Sequence, residues 1–225
     1  FEDSRVFVIY SDQNDIGILE FNYNENIPYY IDYYNSFPEN IESISDIDLF
    51  ENNIYITTNR GIFRSDFIED NLKFPSSWVE LFYGIDESEI LFFHKIDSGA
   101  FLTTDNKLYF NEDNFSNLIL EFDDYPIDMQ DKNNENLFCT IKNCYELNES
   151  VDLIYSTDNL FSINAYHYKN GSMFLSIKNG GIGSIDLENG YPLEHFIPNT
   201  LIDNKYDAIT ILDNGSLVGV SETNG

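Results

Sequence analysis

Basic side chains are scarce in this sequence. Eleven Lys and Arg stand against 40 Asp and Glu, for a formal net charge of −29. Neutralising phosphates takes Lys and Arg, so the balance excludes nucleic acid as a partner. It equally disfavours docking on anionic lipid. A dispersed carboxylate excess makes a soluble, self-repelling surface. Alanine is rare, and no window carries a sustained 3.6-residue apolar period, which leaves few or no helices. No apolar run is long enough to span a bilayer, and no signal peptide opens the chain. Phe1-Glu2-Asp3-Ser4 leads straight into a strand and the chain stops at Gly225, so both ends read as cut from something longer.

Sites of chemistry are equally sparse. Cys139 and Cys144 are the only cysteines, and structural zinc needs four ligands. Gly-x-Ser-x-Gly, His-Glu-x-x-His and Walker patterns are absent. Carboxylate pairs such as Asp123-Asp124 are too common in this composition to nominate a glycosidase pair. His94, His167 and His195 are read as lying at three different positions of the repeat described below, without ligand spacing. The run Asp131, Asn133, Asn134, Glu135 lacks the residue order of a calcium loop and reads as a solvated loop. The expectation is therefore no catalytic, cofactor-binding or metal residue, and no cofactor.

What is abundant is aromatic: 19 Phe and 16 Tyr, which with Ile favour pleated sheets. Asn-Gly pairs, the strongest short hairpin signal, stand at Asn170-Gly171, Asn179-Gly180 and Asn189-Gly190. They delimit four strands, Ser162 to Lys169, Ser172 to Lys178, Gly181 to Glu188 and Tyr191 to Ile197, ended by Pro198. Such a four-stranded meander is what one blade of a β-propeller looks like.

The unit recurs. Its second strand aligns as Phe7-Val8-Ile9-Tyr10, Tyr55-Ile56-Thr57-Thr58, Phe101-Leu102-Thr103-Thr104, Phe138-Cys139-Thr140-Ile141, Phe174-Leu175-Ser176-Ile177 and Leu217-Val218-Gly219-Val220. The intervals are 48, 46, 37, 36 and 43 residues, near the roughly 40 to 50 of a blade. The third unit is expected to use Glu89 to Phe93, Ala100 to Thr104, Leu108 to Phe110 and Leu118 to Phe122. The sixth shows only Tyr206 to Leu212 and Ser216 to Val220, hinged at Asn214-Gly215. The predicted fold is all-β: an incomplete β-propeller of four-stranded antiparallel blades, about five plus part of a sixth. Residues 1–225 are read as one domain fragment.

Three features are left to weigh. A loop of Thr140 to Asn143 would set the two cysteines opposite each other, within disulfide reach. A turn at Lys142-Asn143, the register expected from the other blades, would set them diagonally as two buried thiols, and this second reading is favoured. Tyr29, Tyr30, Tyr33 and Tyr34 could stack on a sugar or peptide, but packing between blades is expected. The connections Phe67 to Ser77 and Gly190 to Asp207 are long enough to carry a partner surface.

Tyr29-Tyr30-Ile31-Asp32-Tyr33-Tyr34 followed by Ile54-Tyr55-Ile56-Thr57-Thr58-Asn59-Arg60-Gly61-Ile62-Phe63 resembles a blade boundary of the PorZ-like propellers of the type IX secretion system. Asn71-Leu72-Lys73-Phe74 before Trp78 is similar to the tail of that unit, as is Ile197-Pro198-Asn199 ahead of the last strands. Where that family continues Gly-Pro, this chain has Thr200-Leu201. Gly61-Ile62-Phe63 and Asp213-Asn214-Gly215-Ser216-Leu217 also resemble the periplasmic propeller repeats of two-component sensors. Both resemblances imply an extracytoplasmic propeller, periplasmic or at the cell surface. They imply protein or glycan partners of the cell envelope.

Overall fold

The second strand of the repeat is buried on both faces where sheets cover it, as at Tyr55-Ile56-Thr57-Thr58. The computed structural model describes residues 5–12, 15–24, 27–85, 90–112, 115–132, 135–147, 151–157, 162–169, 171–178, 181–187, 191–196, 208–211 and 217–220. The chain divides into two compact units, Phe1–Glu121 and Phe122–Gly225.

Unit one holds three antiparallel meanders. β1 (Arg5–Asp12), β2 (Asp15–Asn24) and β3 (Ile27–Tyr34) form a three-stranded sheet. β4 (Ile44–Phe50), β5 (Asn53–Thr58), β6 (Gly61–Asp66) and β7 (Val79–Leu81) form the next. β8 (Phe92–Ile96), β9 (Gly99–Thr103), β10 (Lys107–Glu112) and β11 (Phe115–Glu121) form the third. The first strands β4 and β8 lie side by side, while β1 lies against β4 as β5 lies against β8. β1 thus holds the second-strand place that its alignment with Tyr55-Ile56-Thr57-Thr58 predicts.

Packing follows from that layering. Phe7, Ile18 and Tyr34 meet Ile54, Ile56, Phe63, Leu72 and Trp78 in one core. Tyr55 and Ile62 meet Ile90, Phe93 and Leu102 in the next. Ile54, Ile56 and Ile62 are fully buried, and each such side chain contributes about 1.5–3 kcal/mol. The connection after β6 is less polar than its sequence: Leu72 is buried, and Trp78 Nε1 donates to its carbonyl at 3.2 Å. A 3₁₀ turn, Pro75–Ser77, is the one helical element among the described residues.

Unit two repeats the plan with β12 (Pro126–Lys132), β13 (Glu135–Thr140), β14 (Asn143–Leu147) and β15 (Val151–Ser156). β16 (Ile163–Lys169), β17 (Ser172–Ile177), β18 (Gly181–Asp186) and β19 (Tyr191–Phe196) follow, then the pair β20 (Ala208–Ile211) and β21 (Leu217–Val220). Leu137, Cys139 and Cys144 pack with Ile163, Tyr166, Met173, Leu175 and Ile177. Gly171 sits at φ +78°, the left-handed conformation expected after Asn170. Asn170 itself, Asn179-Gly180, Asn189-Gly190 and Asn214-Gly215 lie outside the described residues.

Several expected boundaries are corrected, among them the outer strand of the third sheet, Phe115–Glu121 where Leu118 to Phe122 was expected. The first strand of the third sheet is Phe92–Ile96 where Glu89 to Phe93 was expected, and Glu89 itself lies outside the described residues. It runs on because His94, Lys95 and Ile96 pair with Phe101, Ala100 and Gly99 of the second strand, and Lys95 Nζ donates to the Ile96 and Gly99 carbonyls at the turn. In the fourth sheet the second strand ends at Thr140, so Leu137-Phe138-Cys139-Thr140 is the tetrad, one residue earlier than aligned. The corner shows why. Thr58 and Thr104 donate Oγ to the carbonyls of Gly61 and Lys107 across the following hairpin, and Thr140 Oγ stands in the same place, 3.2 Å from the Asn143 carbonyl.

Outer strands carry their own protection. β3, β11, β15 and β19 each contain a register shift against the third strand. All of them, and β7, also carry a carboxylate: Asp32, Glu80, Glu121, Asp152 and Glu194. Bulges and charges on an edge oppose pairing with a foreign strand.

Candidate functional site

An innermost strand offers a free edge whose N–H groups need acceptors. In unit one, β4 supplies them. Asp46 Oδ2 accepts the Phe93 N–H at 3.1 Å, and Asp48 Oδ2 accepts the Lys95 N–H at 2.7 Å. His94 Nδ1 stands 3.5 Å from Asp48 Oδ1. In unit two, Gln130 plays the same part between β12 and β16. Its Nε2 donates to the Tyr166 carbonyl at 2.9 Å, and its Oε1 accepts the Tyr168 N–H at 3.4 Å. Tyr166 donates its hydroxyl to the Leu137 carbonyl at 2.6 Å, and burial pushes its pKa well above the ordinary value. These side chains hold neighbouring sheets together. Asp46, Asp48 and Gln130 each bond to the backbone of the next sheet, and Gln130 Nε2 also donates to Asp128 Oδ2 at 3.0 Å.

The pairing register corrects the reading of the histidines. Asp48 faces Tyr55, His94 faces Phe101, Gln130 faces Leu137 and His167 faces Phe174. Each partner is the first residue of its second-strand tetrad, so His94 and His167 share one repeat position and do not occupy different ones. His195 belongs to the outer strand β19, and its side chain lies outside the described residues.

The cysteine expectation is also overturned. Cys139 and Cys144 face each other directly in the β13–β14 ladder and form a disulfide, with Cα atoms 4.1 Å apart. The turn sits at Ile141-Lys142, so the favoured diagonal register was one residue out. The recurring corner threonine is the signal that would have placed it. Beside that corner, buried Asp124 accepts the Thr140 hydroxyl at 2.8 Å, so this carboxylate braces a hairpin. The side chains of Asp131 and Glu135, and Asn133 and Asn134 altogether, lie outside the described residues. Among the described residues no three His, Cys, Asp or Glu side chains gather as metal ligands would.

The tyrosine run divides. Tyr34 is buried and donates its hydroxyl to Glu20, itself 3.6 Å from Arg5. Packing is the right reading for Tyr34. Tyr29 and Tyr30, at 47% and 57% exposure, stand out from the outer strand instead. Tyr33 donates to Asp15 at 2.7 Å. Burial, and then that hydrogen bond and charge, push its pKa up to about 12. Tyr10 meets the Tyr33 ring edge-on, with centroids 6.2 Å apart.

Sequence comparison matches no protein family and no curated protein. Solved structures do match. The extracellular domain of the hybrid two-component system protein BT4673 of B. thetaiotaomicron aligns with a TM-score of 0.65 at 12% identity. PorZ, a surface component of the type IX secretion system of Porphyromonas gingivalis, aligns at 0.61 and 12% identity. The alignments cover 95% and 96% of this chain but only 30% of each of those proteins. The WD40 β-propeller of Doa1 matches at 0.58 and 10% identity, over 94% of this chain and 74% of that one. The fold is that of a β-propeller with four-stranded antiparallel blades, and PorZ-like propellers are among the proteins it resembles.

Proposed function

We propose that this chain is part of a non-catalytic, extracytoplasmic propeller that binds a protein or glycan partner, in the manner of a type IX secretion component such as PorZ. The observation that carries the reading is the fold likeness over almost the whole chain to PorZ and to an extracellular sensor domain. The Cys139–Cys144 disulfide supports it independently, because such bonds persist in oxidising compartments. No helix of the described residues is long and apolar enough to cross a membrane. Asp46, Asp48 and Gln130 of the inner strands bind the backbone of the next sheet, which fits a scaffold.

The second reading is the periplasmic sensor propeller of a two-component regulator, favoured by the match to BT4673. Affinity purification of the full-length protein from cell envelopes separates the two. Recovery of secretion-machinery proteins supports the first reading. Dependence of a transcriptional response on a small ligand, with no such recovery, supports the second. Turnover of a glycan that one carboxylate substitution abolishes would refute both.

A further inference from the structure

β1 holds a second-strand place, yet no described strand pairs with its other edge, where the remaining four-stranded sheets have their first strand. Bonded and non-bonded pairs alternate along an antiparallel ladder. Counting from the pairs that close the two-residue turns, Asp12 with Asp15 and Phe50 with Asn53, puts Phe7, Ile9, Ile47 and Leu49 at non-bonded pairs. Phe7 and Ile9 therefore aim N–H and C=O along the open edge of β1. Ile47 and Leu49 aim their N–H groups away from β5, as Phe93 and Lys95 aim theirs away from β9. Asp46 and Asp48, on the first strand of the preceding sheet, accept the N–H groups of Phe93 and Lys95. Among the described residues, those of Ile47 and Leu49 meet no acceptor. Val8, between Phe7 and Ile9, is 42% exposed, whereas its equivalents Ile56, Leu102, Phe138 and Leu175 are fully buried.

We infer that the open edge of β1 seats one more strand, supplied by the protein's own polypeptide, whose side chains accept the Ile47 and Leu49 N–H groups. Asp46 faces Thr57 and Asp48 faces Tyr55, the third and first residues of their tetrad. The incoming residues that take these places stand opposite Ile9 and Phe7, and each is an acceptor of the Asp, Asn or Gln kind. Backbone N–H groups turned into a packed interface need partners, so the two amides select these side chains. The residue between them, opposite Val8, is apolar, as Ile47 is between Asp46 and Asp48 and Met129 is between Asp128 and Gln130. The source follows from connectivity and charge. β4, β8, β12 and β16 each pair with the strand that follows them in the same chain. An acidic strand from a separate molecule would approach against a net charge of −29, whereas a tethered one arrives at high effective concentration.

This inference does not depend on the binding-module reading. The test uses the full-length protein carrying Val8→p-benzoylphenylalanine, with circular dichroism to verify that it folds. In a filled ladder the side chain at this position lies about 5 Å from the residue opposite it. Irradiation, digestion and mass spectrometry then identify what is captured. The expected product is a monomer cross-linked to a peptide of its own chain that reads acceptor, apolar, acceptor. No capture, capture of a second copy or of another protein, or a peptide without that pattern would overturn the inference. Hydrogen exchange on the unmodified full-length protein gives a second readout. The Ile47 and Leu49 amides should exchange within about tenfold of Phe93 and Lys95, and faster exchange than that counts against the added strand. Either result leaves recovery of envelope partners untouched, so failure here is distinct from failure of the functional reading.

Discussion

Removing the Cys139–Cys144 cross-link is the most informative single perturbation, because it acts on one hairpin of unit two. The two residues are separated by 5 positions in sequence, so the bond closes a short loop. Loop-closure entropy for such a loop gives about 2 kcal/mol of stabilisation, exerted on the unfolded chain. Both cysteines are fully buried against Leu137, Ile163 and Leu175, so a Cys139→Ala/Cys144→Ala variant adds a small packing loss. Two cooperating losses predict a melting temperature lower by about 4–8 °C or slightly more. Calorimetry on the wild type and the variant measures the shift. Urea unfolding of oxidised and reduced wild type then separates the cross-link from the packing. The reasoning fails if intact mass after alkylation in denaturant, without reductant, shows two modified thiols. It fails equally if oxidised and reduced forms unfold at the same urea concentration.

Other expectations follow from the same geometry. Asp48→Ala leaves the Lys95 N–H without its 2.7 Å acceptor and should cost about 1.5–3 kcal/mol in urea unfolding, with Asp48→Asn recovering part. Ile56→Ala, in a strand covered on both faces, should cost about 2–5 kcal/mol. Ile31→Ala, at 43% exposure on the outer strand, should change stability by no more than about 0.5 kcal/mol. Tyr33, with its pKa pushed up to about 12, should titrate late in ultraviolet difference spectra. Its raised value favours the neutral phenol in the folded chain. The stability it contributes is therefore whole below pH 10 and is lost as pH rises towards 12. Tyr33→Phe should remove its share of the late transition and of the alkaline slope, the buried Tyr166 still titrating late.

The blades were legible because their second strands repeat one composition, aromatic or aliphatic followed by Thr or Ser. What marks strands such as Asn53–Thr58 and Ser172–Ile177 is burial on both faces, and burial leaves a residue signature. Side-chain hydrogen bonds between blades leave none. Asp48 and Gln130 do the same work, yet nothing in their identities separates Asp48 from the other carboxylates of so acidic a chain. The equivalence of His94 and His167 was within reach, since each lies opposite a Phe that opens a tetrad. It was missed for want of counting back along the hairpin. The disulfide register turned on one residue, and Thr140, standing where Thr58 and Thr104 stand, was the marker. Tyr29 and Tyr34 illustrate the remaining gap. Identical side chains on one strand are exposed or buried according to which face a neighbouring sheet covers, and the strand's own sequence does not say.

Among the described residues, every hydrogen-bonded strand pair joins neighbours in the chain. The kinetic consequence is a division of labour. Each sheet can assemble hairpin by hairpin, on the microsecond scale of local closure, before any distant partner is found. Only the docking of one sheet on the next spans long stretches, such as the 47 residues between Asp48 and Lys95. Closing such loops is the slow, entropically costly step. Lesions at the threonine corners should then slow the ordering of a single sheet. Loss of Asp48 or Gln130, whose bonds form last, should act mainly by letting finished sheets part sooner.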